Sequence, residues 1–160
     1  MNEPEWEPNI VIVDDEELVL SSLNSLLSLE TDYNINTFLS AKEAIEFIGD
    51  NDTDLVLSDY LMPEMDGISF LSKVRELSPE IPRIILTGYA DKENAIKAIN
   101  EVGLFQYIEK PWDNDNLLIV IRNGIEKKLL LKTLQSKIRE IDKANLDLDV
   151  LQSEIVKAFV

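Results

Sequence analysis

The sequence predicts an α/β fold: a parallel sheet of five strands with helices wound on both faces, followed by one long C-terminal helix. Two observations carry the sheet. Short apolar runs alternate with amphipathic stretches of helical period, and three of those runs, VIV, LVL and IIL, are continuous, as strands buried on both faces require. A third observation carries the helix: after Pro111 there is no proline and a single glycine, Gly124.

Residues 1–8 (MNEPEWEP) are polar and proline-containing, which predicts a flexible leader. The strands are expected at Ile10–Val13, Tyr33–Phe38, Leu55–Ser58, Arg83–Leu86 and Phe105–Ile108. Helices are expected at Glu16–Ser28, Ala41–Gly49, Ile68–Leu77 and Lys92–Glu101. Ser40 and Glu43 form a capping box for the second helix, and Gly67, Pro79 and Gly103 punctuate the others. Repeated βα units imply right-handed crossovers. From about Asp113 to about Ala158 one helix would run roughly 65–70 Å at about 1.5 Å per residue. Its first part sets Leu117, Ile121 and Ile125 on one face, suited to packing on the sheet.

Composition removes several chemistries. The 160 residues suit one domain and an extension, and 45% hydrophobic content supplies a core. With no Cys and no His there is no disulfide, no thiolate or imidazole ligand and no thiol nucleophile. A metal would need oxygen ligands, and a phosphohistidine would have to come from another protein. No segment resembles a signal peptide or a bilayer span, so a cytoplasmic protein without membrane contact is expected. Residues 1–112 hold 23 of the 31 acids and 7 of the 15 bases, so the whole net charge of −16 falls there, and residues 113–160 are balanced. Direct nucleic-acid binding, which needs a basic face, is not expected.

The chemistry collects at strand ends. Asp14 and Asp15 follow the first strand, Asp59 the third, Thr87 the fourth and Lys110 the fifth. In a parallel sheet these ends share one edge, where ligands bind near a change of strand order. Asp14 could simply cap the helix after it. Four consecutive acids, Asp14 to Glu17, exceed what capping needs and point to a hard divalent ion, Mg²⁺ or Mn²⁺. Asp59, in LVLSDYLMPEMDG, could start a turn. Asp66-Gly67 already supplies turn chemistry, which leaves Asp59 available as a nucleophile toward phosphorus. Thr87 offers a hydroxyl to a phosphoryl oxygen, Gly88 offers room for close approach, and Lys110 offers a positive charge. The Lys110–Pro111 bond is a candidate for a cis peptide.

Asp14-Asp15, Asp59 in DYLMPEMDG, Thr87-Gly88 and Lys110-Pro111, at these separations, resemble the receiver domain of two-component response regulators over residues 9–128. The resemblance implies a flavodoxin-like fold of strand order 2-1-3-4-5. It implies Asp59 as the phosphoacceptor, fed by a partner histidine kinase or phosphotransfer protein. It implies Asp15, Asp59 and the Leu61 backbone carbonyl as direct metal ligands, with Asp14 acting mainly through water. Thr87 and Tyr107 would be the switch pair. Such a domain is a phosphoacceptor, catalysing at most its own phosphorylation and dephosphorylation. Gly88 departs from the family, where alanine is frequent. The extended helix also lies outside the basic receiver. It resembles a signalling helix leading to an output domain, often a cyclic di-GMP enzyme where the receiver carries a Lys-Pro-Trp ending such as Lys110-Pro111-Trp112. No such output sequence is present, so residues 129–160 are expected to be a linker to a domain beyond this chain.

In that linker Leu131, Leu134, Ile138, Ile141, Asn145, Leu148, Gln152, Ile155 and Phe159 alternate at spacings of three and four, an a/d heptad seam. A parallel homodimeric coiled coil is expected, with Asn145 and Gln152 at a positions and Lys137 facing Asp142 across the pair. Back-folding of the helix onto its own head is the competing arrangement. Competing functions are a stand-alone dimerisation module, an aspartyl-phosphate phosphohydrolase, which would need a DxD pair after the first strand, and a flavin binder, whose phosphate the acids at Asp14–Glu17 would repel.

Overall fold

Alternation along the strands sorts side chains onto the two faces of the sheet. Ile10 and Ile12 of β1 (Asn9–Val13) turn to one side with Leu55 and Leu57 of β3 (Leu55–Asp59). Val11, Val13 and Val56 turn to the other. Both strands, and β4 (Arg83–Thr87), are buried along essentially their whole length. The first face is covered by α1 (Glu17–Glu30) through Leu20, Leu23 and Leu27 and by α5 (Asn114–Phe159) through Leu117, Ile121 and Ile125. The second is covered by α2 (Ala41–Asp50), α3 (Gly67–Leu77) and α4 (Lys92–Glu101).

This computed structural model describes residues 6–159. Its five strands, completed by β2 (Asn34–Phe38) and β5 (Gln106–Glu109), are all parallel in the order β2-β1-β3-β4-β5. The chain therefore steps outward from β1 in opposite directions, to β2 on one side and to β3 on the other. That is the arrangement that opens a crevice at the carboxyl ends of β1 and β3. Of the expected leader, residues 1–5 lie outside the described residues. Trp6 packs against the core, and the Pro8 carbonyl accepts the Asn34 N–H at 2.9 Å.

Local chemistry sets the element ends. The Ser40 hydroxyl accepts the Glu43 N–H at 3.3 Å, and the Asp66 carboxylate accepts the Ser69 N–H at 2.7 Å, so α2 and α3 both start on side-chain caps. Strands β3 and β4 run one residue further than their apolar runs, taking Asp59 and Thr87 into the ladder opposite Leu86 and Glu109. Gly124 lets α5 lie close to the sheet, since a Cβ there would stand 2.6 Å from the Leu55 Cδ1 and 3.6 Å from the Phe105 ring. At the opposite edge from the crevice, buried Arg83 donates to the Gly103 carbonyl at 2.7 Å, and Arg75 donates to the Val102 carbonyl at 3.1 Å. The two guanidiniums thereby satisfy carbonyls just past the end of α4.

The chain forms two compact units, Met1–Lys128 and Leu129–Val160. In the second unit Leu134, Ile138, Ile141, Leu148 and Ile155 are exposed, and Leu131 is half-buried. Lys137, expected to face Asp142 across a helix pair, bonds within its own helix to Glu140 at 3.4 Å. No helix of the described residues is long and apolar enough to cross a membrane.

Candidate functional site

Residues from three strand ends meet in the crevice. Asp14 and Asp15 follow β1, Asp59 ends β3 and Lys110 follows β5. Carboxylate oxygens of Asp14, Asp15 and Asp59 lie within 4.8 Å of one another. Asp14 and Asp59 are buried and Asp15 is exposed, so the group opens to solvent on one side. The Lys110 ammonium bridges the two buried acids, 2.9 Å from Asp59 Oδ1 and 3.1 Å from Asp14 Oδ2. Three carboxylates closely spaced, with oxygen atoms only, suit a hard divalent cation.

The backbone fixes each acid. Asp14 Oδ1 accepts the Glu16 N–H at 2.9 Å, and the Asp14 N–H donates to the Phe38 carbonyl. Asp14 thus holds the residue before α1 and faces the crevice, but it does not cap the helix, whose first turn has no side-chain cap. Burial pushes its carboxyl above the usual aspartate range. The Glu16 N–H opposes that rise, Asp59 adds to it by repulsion, and Lys110 opposes it. Burial alone would lower the Lys110 pKa, but the hydrogen bond to Asp59 and the charges of Asp14 and Asp59 outweigh it and raise it. Asp59 Oδ1 takes bonds from Lys110 and, at 3.0 Å, from the Tyr60 N–H. Both bonds fall on that one oxygen, and Oδ2 remains for other partners.

Thr87 is fully buried at the end of β4, and its hydroxyl donates to the Gly88 carbonyl at 3.2 Å rather than to Asp59. Tyr107, half-buried on β5, packs with the α2–α4 side of the core. The Leu61 side chain is exposed two residues after Asp59. The Lys110–Pro111 peptide is cis, and the Lys110 N–H donates to the Thr87 carbonyl at 2.8 Å. Gly88 has a φ of −76°, and a Cβ there would meet no atom of the protein within 4 Å.

Within the protein, glycine is required at Gly67. A Cβ there would lie 2.0 Å from the Asp59 carbonyl oxygen, and the Gly67 N–H donates to the Tyr60 carbonyl at 2.8 Å. The buried Ser58 hydroxyl donates to that same Asp59 carbonyl at 2.9 Å. The first turn of α3 and Ser58 therefore hold the Asp59 backbone from two sides. The sequence pattern shows Gly67 as punctuation.

Comparisons with known proteins agree with this geometry. The profile of the response regulator receiver domain matches residues 10–122. The hydrogenase transcriptional regulatory protein HoxA of Cupriavidus necator is 37% identical over 120 residues, covering 75% of this chain and 24% of that protein. The C4-dicarboxylate transport transcriptional regulatory protein DctD of Rhizobium meliloti is 30% identical over 144 residues, covering 90% of this chain and 31% of that protein. The chain thus spans about a quarter to a third of the length of these curated relatives. The receiver domain of an HD domain-containing protein from Pseudomonas fluorescens superposes with a TM-score of 0.72 at 35% identity, covering 77% of this chain and 98% of that one. Receiver domains of this family are phosphoacceptor modules that bind Mg²⁺ in an acidic pocket and interact with histidine kinases or phosphotransfer proteins. The chain belongs to the response regulator receiver domain family of two-component systems.

Proposed function

We propose that Asp59 is the phosphoacceptor, that Asp14, Asp15 and Asp59 with the Leu61 carbonyl hold Mg²⁺, and that the phosphorylated domain controls a C-terminal output through a parallel dimer of α5. The observation that carries this is the one-sided bonding of Asp59. Its Oδ1 is engaged by Lys110 and Tyr60, which orients Oδ2 as the attacking atom. That oxygen forms a bond to phosphorus as the phosphorus–nitrogen bond of a kinase phosphohistidine breaks. The imidazole leaves with the electron pair and takes up a proton.

Three carboxylates and one ammonium leave the site with two net negative charges, which repel a dianionic phosphoryl donor. Asp14, Asp15 and Asp59 would hold a divalent cation, which would supply the missing positive charge beside the incoming phosphoryl group. Lys110 offers its ammonium to the phosphoryl group once Asp59 carries it as an acyl phosphate. Thr87 reaches the same group by turning its hydroxyl away from the Gly88 carbonyl, and Tyr107 follows on the neighbouring strand.

Curated relatives are named as transcriptional regulators. A DNA-binding output beyond this chain therefore has more support than the cyclic di-GMP enzyme expected from the Lys-Pro-Trp ending. A cytoplasmic site of action suits a kinase-fed receiver. The deciding experiment is intact-mass spectrometry after incubation with acetyl phosphate and Mg²⁺. Wild type is expected to gain one phosphoryl group and Asp59→Asn none. Equal labelling of both would remove Asp59 from the role.

A further inference from the structure

The second unit carries two overlapping apolar seams. Ile141, Leu148 and Ile155 form a column common to both, and all three are exposed. With Asn145 and Gln152 beside that column the pattern is an unbroken heptad from Leu131 to Ile155, with two polar residues inside it. With Ala144, Leu151 and Ala158 on its other side the seam is apolar throughout, at spacings of three and four. Leu151 is itself 52% exposed, although nothing in the first seam calls for a leucine at that position. Continuing the second seam back to Leu131, Leu134 and Ile138 places two successive spacings of three at Ile138–Ile141–Ala144. That is a stammer, which overwinds a coiled coil.

We propose that this helix pairs in parallel with a second copy of the chain and can close on either seam, the two states being related by a rotation of each helix about its own axis. Each seam has one defect. The first buries Asn145 and Gln152 at a positions, at a cost in stability. The second overwinds at the stammer.

Flanking residues support both states and identify the partner. In the first seam Lys137 faces Asp142 of the other copy, five residues on. In the second, Glu140 faces Asn145 and Asp147 faces Gln152 at that same offset, so each amide that intrudes into one core can donate to a carboxylate beside the other. The offset of five belongs to parallel pairs of identical helices. Within a single copy Lys137 bonds to Glu140, which leaves both long side chains to be redistributed on pairing. Coupling of the choice of seam to phosphorylation rests on the function proposed above. The existence of two seams does not.

The test uses the full chain, which has no cysteine of its own. Nitroxide labels are placed on Asp147→Cys or Asp149→Cys, and distances between copies are measured by pulsed electron resonance. Asp149 flanks the first seam and Asp147 flanks the second. Asn145→Leu with Gln152→Leu is expected to give the shorter distance at 149. Asn145→Lys with Gln152→Lys, which removes the first seam's apolar contacts at both positions and sets an ammonium group opposite Glu140 in the second seam, is expected to give the shorter distance at 147. The same order in both variants, or no short distance in either, overturns the proposal. In the otherwise native helix, beryllofluoride with Mg²⁺ is expected to move the 147 and 149 distances in opposite directions. Unmoved distances in protein that binds beryllofluoride through Asp59 overturn the coupling. Failure to bind it at all would instead count against the receiver chemistry, and the paired variants would still decide the seams.

Discussion

Replacing Gly67 by alanine tests how Asp59 is held. The added Cβ would stand 2.0 Å from the Asp59 carbonyl oxygen, where a carbon–oxygen contact is ordinarily about 3.3 Å, so roughly 1.3 Å of movement is required. Neither partner can turn aside cheaply. The oxygen belongs to the backbone at the end of β3, and the Cβ is fixed to the first residue of α3. Moving α3 disturbs buried Phe70, Leu71 and Val74, while moving the Asp59 peptide breaks the Ser58 hydrogen bond. Overpacking of this kind costs about 1–3 kcal/mol. At roughly 2–4 °C per kcal/mol for a chain of this size, the melting temperature should fall by several degrees. Displacement of the acceptor by about 1 Å should also slow phosphorylation by acetyl phosphate, on the order of a hundredfold. The control is Gly88→Ala, where an added Cβ meets nothing and φ is −76°. It should melt at or slightly above the wild-type temperature, since alanine narrows the unfolded ensemble by about 0.4–1 kcal/mol. A Gly67→Ala protein that melts and labels like wild type would refute the account of how Asp59 is positioned.

Asp14→Asn should stabilise the metal-free protein at neutral pH. The folded protein holds the Asp14 proton more tightly than the unfolded chain does. Stability from this group is therefore full below the ordinary aspartate value of 3.8 and is lost as pH rises through the higher value of the folded state. Denaturant titrations across that range should show the variant's advantage growing with pH, and a variant less stable at pH 7 would contradict the assignment. Mg²⁺ at a hundred times its dissociation constant should add about 2.7 kcal/mol to wild type, and less to the variant. Thr87→Ala should still accept the phosphoryl group but leave the nitroxide distances in α5 unchanged by beryllofluoride. Arg83→Met removes the donors to the Val102 and Gly103 carbonyls and should cost about 1 kcal/mol by urea titration. That is the low end of the range, because Arg83 Nε is buried without a partner and burial, with Arg75 nearby, lowers the guanidinium pKa. A more stable variant would show that desolvation outweighs the capping.

Legibility followed physical range. The strands were visible because VIV, LVL and IIL can only be buried on both faces, and α4 was bounded as Lys92–Glu101 from its pattern alone. The acidic cluster was visible because parallel strands deliver their ends to one edge, which needs topology and no coordinates. Boundaries slipped where the ladder outlasts the apolar run, as at Asp59 and Thr87. Contacts between remote backbones were not visible. Gly67 against the Asp59 carbonyl and Arg83 against the Gly103 carbonyl depend on how α3 and α4 seat on the sheet, and no residue pattern records that.

Both units place polar groups where stability alone would not. In the first, Asp14 is buried beside Asp59 with one ammonium between them, although a carboxylate in such surroundings raises the free energy of the fold. In the second, the amides of Asn145 and Gln152 interrupt an otherwise apolar seam, while a wholly apolar alternative lies on the other side of the shared column. A sequence selected only to fold would hold hydrophobic residues at such positions, and local departures of this kind mark function. A bound cation would relieve the first defect by supplying positive charge. In the pairing proposed above, rotation of the helix would relieve the second by moving two amides out of the seam and beside carboxylates. On the function proposed here, each departure is an element whose favoured state depends on what is bound, which is the property a switch requires.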